Sequence, residues 1–506
     1  MKRTGPLLST LLVLAMATFI ALAGAGALRW YPYSPSHDEQ RAVQLGLIWI
    51  VGLYCLWQFV RNPASTGLAW CAQRRRMMVV IAIFWGIGLI SASAAALPAW
   101  ALLEWSHLFL LMALCITLSL AIKGTPAANE WLYLALVAAS LLYLVQVLVL
   151  YIAAVFVVHA VDNGVVVVGF AHRRFAAQMH AMLIPMLGAL YFQYGHRRIA
   201  LVRAGLLALA GFAWMLCMVA AARGAGVALV ASVIALAFLG RAAWLRWMTF
   251  YGLSLLVGIC LLGLLFVLLP DWAGATMTWE NRLAASTSAP GITDSPGRMF
   301  LWTKALKMVV DSPLLGIGPM HFAYEFHNEG SHPHNLPLQL MAEWGPLATL
   351  CFVGVVLHGY LRFGRFALDR AQATKRERSQ QMTAEGLWAV LTIIAVYALL
   401  DGLFVMPYSQ MLIVLFAAWA MALVGAESST EQSATAKAAA NKALRVGLAL
   451  ALAIALFSVA TMGFSGIGKS GEREADYERS TGIDFLFPRF WAQGWIGPLA
   501  KPAQNK

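Results

Sequence analysis

Four groups of basic residues stand out in this chain, because each lies next to or between long apolar runs. They are the pair Arg173 and Arg174, then Arg223 in a turn of small residues, then Arg298, and finally the histidines around His334. Arginine is always charged and presents a planar fork that matches phosphate oxygens. Histidine exchanges a proton near neutral pH, since its free pKa is about 6.5. Together these residue types predict a site that binds a diphosphate and moves a proton beside it.

Each group also has a simpler interpretation that the sequence leaves open. Arg223 is compatible with a residue that only anchors a helix end at the membrane interface. Arg173 and Arg174 are compatible with binding of lipid phosphate without chemistry. The histidines of segment 321–334 match no zinc motif in their spacing, and no cysteine or close carboxylate pair joins them. We therefore predict no metal site.

Two acidic residues, Glu343 and Asp401, lie within apolar runs. Ionisable groups in such places are costly and are more often functional than not. Glu343 is also compatible with a structural role at the start of a helix. His332 precedes His334 by two residues, so it stays an alternative to His334 as the proton acceptor.

The composition is that of a membrane protein. Of the 506 residues, 61% are hydrophobic and 12% are charged, whereas a soluble domain is typically about half apolar and a quarter charged. The net charge of +13 is typical of basic loops that face anionic lipid, and no basic run is interleaved with the aromatics that a nucleic-acid site needs. The six cysteines include no CxxC pair, which argues against disulfides and thiolate metal sites.

A spanning helix needs about 20 apolar residues. Thirteen runs approach that length, of which the first twelve are predicted to span and the last is a further candidate. The N-terminal run resembles a signal peptide, but it is long and lacks a cleavage site, so we interpret it as a span. The runs are 7–28, 42–60, 77–97, 100–122, 131–160, 176–194, 199–221, 224–240, 247–269, 337–361, 386–407, 409–425 and 446–466.

Loop charge predicts the orientation. With the N-terminus in the cytoplasm and one crossing per run, most of the 36 Lys and Arg residues fall on the inside, as expected for a membrane protein. The chain then divides into nine helices over 1–269, a long outer loop over 270–336, the remaining helices over 337–466, and a tail over 467–506. The side of the tail depends on whether the last run crosses.

The outer loop and the tail contain recognisable elements. The stretch 285–297 is rich in Ser, Thr, Pro and Gly, which predicts a flexible loop. Segment 298–310 has the pattern of an amphipathic helix lying on the membrane surface. Its predicted apolar face is Met299, Trp302, Leu306 and Val309, with Lys304 and Lys307 opposite. The tail is predicted to be interfacial because of its aromatic residues Phe485, Phe487, Phe490, Trp491 and Trp495.

The residues from Arg298 to Gly345 resemble the signature loop of the O-antigen ligase and O-antigen polymerase superfamily. The resemblance is carried by Arg298 with Trp302 four places on, then the letters LLGIGPMHF, then His334 with Asn335, and then Glu343. In order and spacing it extends over roughly 165–425, where it includes the turn with Arg223. The stretch 169–185 is also similar to the family's segment before that turn, and the rest of the chain shares only the hydropathy of a multi-pass protein, which would not identify a family by itself.

The resemblance implies an all-helical fold similar to lipid-donor (GT-C-like) glycosyltransferases, in the bacterial inner membrane with the site facing the periplasm. Members take a glycan from undecaprenyl diphosphate, and ligases move it onto lipid A–core, without metal or cofactor. His334 matches the essential histidine of the family, and Arg223 and Arg298 match its essential arginines. Arg173 or Arg174 completes the diphosphate clamp, with supporting roles for the other motif residues, namely His332, Asn335 and Glu343.

Three functions follow as alternatives. The first is a ligase acting by inverting displacement, with His334 as general base. The second is an O-antigen polymerase or a protein O-oligosaccharyltransferase, which share these motifs and differ in the acceptor. The third is a flippase of lipid-linked sugars, which would favour ionisable residues at mid-membrane and inverted repeats. The sequence does not indicate the oligomeric state.

Overall fold

The architecture was analysed in a computed structural model of the chain. The structure describes most of the sequence, with gaps between its parts. The described residues are 4–24, 36–61, 70–71, 73–170, 172–194, 200–277, 296–327, 329–371, 378–427, 442–483 and 486–499. All statements about the structure refer to these residues.

Sixteen helices make up most of the described part of the chain, and three of them continue through wider π turns, α15 through Val459–Gly463. α5 continues through a π turn at Ala154–Val158, and α9 continues through Leu264–Leu268 to Ala273. The helices are α1 (Thr4–Ala23), α2 (Ser36–Arg61), α3 (Arg75–Ala94), α4 (Pro98–Gly124), α5 (Ala128–Ala153), α6 (Arg173–Gln193), α7 (Ala200–Val219), α8 (Arg223–Ala237), α9 (Arg241–Gly263), α10 (Pro296–Asp311), α11 (Leu336–Trp344), α12 (Pro346–Ala371), α13 (Arg378–Leu400), α14 (Pro407–Glu427), α15 (Lys442–Ser458) and α16 (Ser470–Thr481).

Eleven of the helical segments in this part of the chain are long and apolar enough to cross a bilayer. Two shorter apolar helices, Leu7–Ala23 and Arg223–Ala237, accompany them. The protein is therefore a multi-pass membrane protein with an all-helical fold. The only described strands are the two-residue pair Ala160–Val161 and Thr276–Met277, which run parallel to each other.

α6 lies at the centre of the bundle. In its apolar window 89% of the residues are buried inside the protein, against 17% for α9 and α12. α6 packs against α7 and α13, and α13 also packs against α8. α6 begins with Arg173, and its Gln178 donates a hydrogen bond to Asp401, which directly follows α13. The central helix of the bundle therefore contributes residues to the site described below.

Several connections between helices lie at one end of the bundle, which we call the loop end. It comprises the described residues of the connections after α5, α7, α9, α10, α13 and α15. Ala160 pairs with Thr276 there, Asn335 donates to the Leu399 carbonyl, and Ser331 donates to the Pro488 carbonyl. The tail after α15 therefore lies on the same side as the long loop.

The predicted run 337–361 is wrong as a single helix. α11 ends at Trp344, and the chain turns at Gly345, whose φ is +88°. A β-carbon at Gly345 would lie 2.3 Å from the Leu314 carbonyl oxygen. This close approach of two backbone segments breaks the helix, and α12 begins anew at Pro346. Hydropathy does not detect the break because both pieces are apolar.

The helix predicted at 298–310 is confirmed, and it packs against the protein through Leu301, Ala305 and Met308, in a cluster that includes Phe322 and Ala342. Of the predicted apolar face, Trp302 and Val309 pack partly against the same cluster, whereas Met299 and Leu306 are exposed on the protein surface. Lys304 is largely covered and pairs with Glu325. That Met299 and Leu306 lie on the membrane surface stays a prediction.

The aromatic residues of the tail do not line an exposed surface. Phe490, Trp491 and Trp495 are buried against the rest of the protein. Their burial follows from the contacts of the tail with the loop end, which the sequence could not reveal. Phe485 and most of the predicted loop 285–297, up to residue 295, lie outside the described residues.

Candidate functional site

His334 lies at the loop end, immediately before α11. Its backbone is left-handed, with φ of +53°, and its side chain is 19% exposed. Nδ1 lies 3.1 Å from Oδ1 of Asp401 at the end of α13. Since a carboxylate only accepts hydrogen bonds, this contact places the ring proton on Nδ1 and leaves the Nε2 lone pair as a base.

The carboxylate of Asp401 accepts hydrogen bonds from two further donors. Oδ1 accepts from the Gly402 backbone at 2.8 Å, and Oδ2 accepts from Gln178 of α6 at 3.1 Å. Gln178 in turn accepts from Ser409 at 2.9 Å. Burial by itself would raise the pKa of Asp401, but the hydrogen bonds and the charge of His334 outweigh burial and lower that pKa. Asp401 therefore stays ionised and orients the imidazole.

His332 packs beside His334 but is closed off from solvent. The two ring centroids are 4.3 Å apart, and His332 is 3% exposed. Burial holds the pKa of His332 well below its usual value, and the neighbouring His334 lowers it further. Nε2 of His332 faces Gly402, where a β-carbon would lie only 2.0 Å away. Of the two histidines, therefore, His334 is accessible from solvent, whereas His332 is buried and packs against its ring.

Arg298 lies within electrostatic range of two of the other predicted arginines. Burial lowers the pKa of Arg298, which stands in the first turn of α10. The carboxylate of Asp401 opposes that shift, whereas the guanidinium groups of Arg174 and Arg223 add to it. The charges of Arg174, Arg223 and Asp401 thus all act on Arg298, and Asp401 contacts His334.

Each of these arginines belongs to the first turn of a helix. Arg173 and Arg174 begin α6, Arg223 begins α8 after a tight turn with Ala221 at φ of +48°, and Arg298 stands near the start of α10. Helix N-termini carry a partial positive charge and unpaired N–H groups. The same end of the bundle therefore combines side-chain cations with positive helix ends, which is an environment suited to a phosphate group.

His172 is a neighbour of this site that the sequence analysis did not single out. Its Nδ1 accepts from the Arg174 backbone at 3.1 Å and so caps α6. The side chain of His172 is exposed, yet partial desolvation by the surrounding protein, together with the charges of Arg174 and Arg173, lowers its pKa to about 4. His334 and Asp401 also act on it. The only signal in the sequence was its place directly before the arginine pair.

Asn335, Gly316 of the LLGIGP motif and Trp302 fix the position of the backbone around His334. Asn335 accepts from the Leu338 backbone at 3.0 Å and donates to the Leu399 carbonyl at 3.1 Å. It therefore caps α11 and ties that helix to the end of α13. Gly316 approaches α11 so closely that a β-carbon would lie 2.5 Å from the backbone of Glu343. Trp302 adds a hydrogen bond of 2.9 Å to the Pro333 carbonyl.

Glu343 lies apart from the arginine cluster. It is fully buried, and its carboxylate accepts from the Phe322 backbone at 3.0 Å and from Gln339 at 3.3 Å. Its ionic partner is Arg489 of the tail, which the sequence analysis did not identify. Nowhere in the described ranges do three or more His, Cys, Asp or Glu side chains gather as metal ligands.

Comparison with protein-family models matches residues 206–353 to the O-antigen ligase family. The search of curated proteins found no match to the chain. The matched segment contains Arg223, Arg298 and His334. It leaves out Arg173, Arg174, Asp401 and the tail, so the contacts of those residues are known from the structure alone.

Proposed function

We propose that this protein transfers a glycan from undecaprenyl diphosphate to lipid A–core, since residues 206–353 of this multi-pass membrane protein match the O-antigen ligase family. The observation that carries the proposal is the contact between His334 and Asp401 at the loop end, with Arg298, on which the charges of Arg174, Arg223 and Asp401 act, as its cationic neighbour. We propose the bacterial inner membrane as its location, with the loop end facing the periplasm.

The arginines are proposed to hold the donor. A diphosphate carries several oxygens with negative charge, and guanidinium groups form paired, charge-assisted hydrogen bonds to them. Arg174 and Arg223 are exposed, and Arg298 is partly covered, so the first two are accessible to a headgroup. Arg173 completes the clamp from the start of α6. As the glycan departs, the same groups stabilise the charge that develops on the diphosphate.

His334 is proposed to act as the general base. A hydroxyl group of the acceptor attacks the anomeric carbon, and its proton moves to Nε2 of His334. The new carbon–oxygen bond forms as the bond between the anomeric carbon and the diphosphate oxygen breaks, and the electron pair leaves with undecaprenyl diphosphate. Asp401 stabilises the imidazolium that results. One displacement without a covalent enzyme intermediate inverts the anomeric configuration.

The reaction needs no nucleotide at the site, because the diphosphate bond already supplies the driving force. The remaining task is to hold two membrane-anchored substrates in contact, which lowers the barrier by proximity. We propose that neither a metal nor another cofactor takes part. Transfer is then expected to proceed at an unchanged rate after dialysis against EDTA, and a rate restored only by an added divalent cation would contradict this.

Two other functions share the site. A polymerase or a protein O-oligosaccharyltransferase would use the same residues with a different acceptor. A flippase is disfavoured because the charged candidates gather at the loop end rather than at mid-membrane. Lipid A–core is the proposed acceptor because the matched family is described as O-antigen ligase.

The proposal is tested with purified protein, lipid-linked glycan and three acceptors offered separately, namely lipid A–core, a second glycan and a pilin-type protein. We expect transfer to lipid A–core by the wild type and none by His334→Ala. Transfer only to glycan or protein would assign one of the alternative acceptors. Unchanged transfer by His334→Ala would remove this residue from the mechanism, and retention at the anomeric carbon would exclude single displacement.

A further inference from the structure

The chain after the last spanning helix is built into the loop end rather than attached to its surface. α15 continues through further helical turns to Gly466, and α16 and the described residues 486–499 follow. Arg489 in this part is 2% exposed. We call residues 467–499, as far as the structure describes them, the tail segment.

Arg489 joins the tail segment to two helices through a buried ionic cluster. Its Nη2 lies 2.7 and 3.0 Å from the carboxylate oxygens of Glu104 on α4. The same nitrogen lies 2.9 and 2.7 Å from those of Glu343 on α11. Removing one partner from such a cluster leaves uncompensated charge in the interior, which is strongly unfavourable. Arg489 therefore fixes α11 relative to α4.

The tail segment also contacts the chain that carries the two histidines. The Ser331 hydroxyl donates to the Pro488 carbonyl at 2.9 Å, and Ser331 directly precedes His332. His332 packs on the ring of His334. Further along, the Ile496 backbone donates to the Ala323 carbonyl at 3.1 Å. The tail segment thus supports the loop on which the proposed base stands.

A third set of contacts leads to the turn that carries Asp401. Arg41, near the start of α2, donates through Nη2 to the Val405 carbonyl at 2.7 Å and through Nε to the Phe490 carbonyl at 3.0 Å. One buried guanidinium therefore connects the tail segment with residues 401–406. Asp38, one turn earlier on α2, also holds the tail segment, by accepting from the Ala492 backbone at 2.7 Å.

We propose that the tail segment is a positioning element of the transferase site, with Arg489 as its central positioning residue. It contacts the histidine loop directly and is connected to the Asp401 turn through Arg41, and so it maintains the 3.1 Å contact between His334 and Asp401. Arg489 itself touches neither of the two proposed catalytic groups. This inference rests on the proposed function, because it assigns the tail segment a role in that reaction.

The test compares Arg489→Met with Arg479→Met in purified protein. Arg479 lies on α16 of the same segment, but its side chain is 76% exposed and contacts Asp476 and the Ala475 carbonyl within that helix, which makes it a matched control. We expect Arg489→Met to lower kcat at least about tenfold while the donor KM changes little, since small displacements of catalytic groups are costly. Arg489→Lys, which keeps the charge but not the fork, should recover part of kcat. Equal kcat in Arg489→Met and the control would overturn the proposal.

Hydrogen exchange supplies a readout that does not depend on activity. In Arg489→Met we expect amides of residues 331–335 and 401–406 to exchange at least about tenfold faster than in the control, because local opening becomes easier. If the wild type transfers no glycan, the proposed function fails, and this measurement still decides whether the tail segment positions the two loops. Unchanged exchange in both loops would overturn the positioning role.

If Arg489→Met does not fold, a variant whose tail can be cut by a protease after folding is used instead. A protease site inserted after Gly482, an exposed residue beyond α16, allows the protein to fold before the end of the tail is cut. Loss of transfer when the released peptide is removed, with recovery when it is added back, would support the proposal. Full transfer after removal of the peptide would overturn it.

Discussion

At the scale of single residues, the account depends on His334, whose Nε2 is available as a base because Asp401 binds the opposite ring nitrogen. The His334–Asp401 contact fixes the tautomer and the orientation of the ring. Asp401 is itself held by Gly402 and Gln178. The ring is therefore positioned from the centre of the bundle, while its Nε2 is left to react.

The first prediction concerns that carboxylate. Asp401→Asn keeps the size of the side chain but removes the charge that stabilises the imidazolium, so we expect kcat to fall about 100-fold. The donor KM should change little, because the arginines are retained. Steady-state kinetics of glycan transfer measure both constants. Asp311→Asn, at the exposed end of α10, is the control, and an Asp401→Asn enzyme with wild-type kcat would contradict the role of Asp401.

The second prediction concerns His327, which lies against the rings of Phe300, Phe322 and Trp495. Burial lowers the pKa of His327 to about 3, and the charge of Lys304 lowers it further. The folded protein therefore keeps this ring neutral, whereas the unfolded chain binds a proton below pH of about 6.5. The free energy of unfolding therefore decreases as the pH falls below about 6.5.

His327→Phe should remove this part of the pH dependence. Between about pH 7.5 and 5.5 the wild type is expected to lose about 1 kcal/mol more of its free energy of unfolding than the variant, by proton linkage at this one site. Denaturant unfolding in detergent at the two pH values measures the difference. Equal losses in both proteins would show that His327 does not titrate in this way.

The sequence predicted the residue types of the site but not all its members. Arg223, Arg298 and His334 were identified because exposed cations and a histidine next to apolar runs are unusual. Asp401 was noted as a costly charge without a partner, since 67 positions separate it from His334. Arg489 was not considered at all, because an arginine in an aromatic tail gives no sign of burial until tertiary contacts are known.

At the scale of elements, the site depends on where helices begin and end. Arg173, Arg223 and Arg298 stand in first turns, and His334 precedes the first turn of α11. The break at Gly345 allows α11 to lie at the loop end while α12 spans.

The third prediction tests that break. Gly345 has a φ of +88°, and a β-carbon there would lie 2.3 Å from the Leu314 carbonyl oxygen. Gly345→Ala should therefore lower the free energy of unfolding by about 2 kcal/mol or more through backbone strain, and it should reduce transfer. Gly354→Ala in α12 is the control, since nothing lies within 4 Å of its added carbon. Equal unfolding curves for the two variants would contradict the strained turn.

The sequence located the apolar helices well and their exact limits less well. Twelve of the thirteen predicted runs each correspond to one helical segment, since long apolar stretches have few other structures in lipid. Two of these segments, Leu7–Ala23 and Arg223–Ala237, are shorter than predicted. The run 337–361 divides into α11 and α12 at Gly345, because the backbone of the 314–315 segment approaches that glycine too closely for a continuous helix. The face of α10 that packs on the protein, with Leu301 and Ala305 in the cluster of Phe322, was not predicted, because it depends on the folded loop.

At the scale of the whole molecule, the account requires that the long loop, the Asp401 turn and the tail segment lie at the same end of the helix bundle. The structure places all three at the loop end, through contacts such as Ser331 with Pro488 and Arg41 with Val405. The buried cluster around Arg489 connects the end of the chain with helices from both halves of the bundle. The site is therefore a property of the complete fold rather than of the matched segment alone.

The fourth prediction concerns the crossing of α15. In a protein without its six native cysteines, a thiol at Arg479→Cys should react with a membrane-impermeant reagent applied from the periplasmic side. A thiol at Lys442→Cys, at the other end of α15, should react only after the membrane is permeabilised. Labelling of both, or of neither, in intact spheroplasts would contradict a spanning α15 and a tail segment that shares the face of the site.

The central claim is that the arginines hold the lipid diphosphate and His334 transfers the proton. Binding of the undecaprenyl diphosphate donor to purified wild type, His334→Ala and Arg298→Gln, measured alongside transfer to acceptor, tests it most directly. The account predicts that His334→Ala binds donor nearly as well as the wild type yet transfers no glycan, and that Arg298→Gln loses at least about tenfold in donor affinity, since a charge-assisted hydrogen bond is removed. Transfer by His334→Ala, or undiminished donor binding by Arg298→Gln, would contradict it.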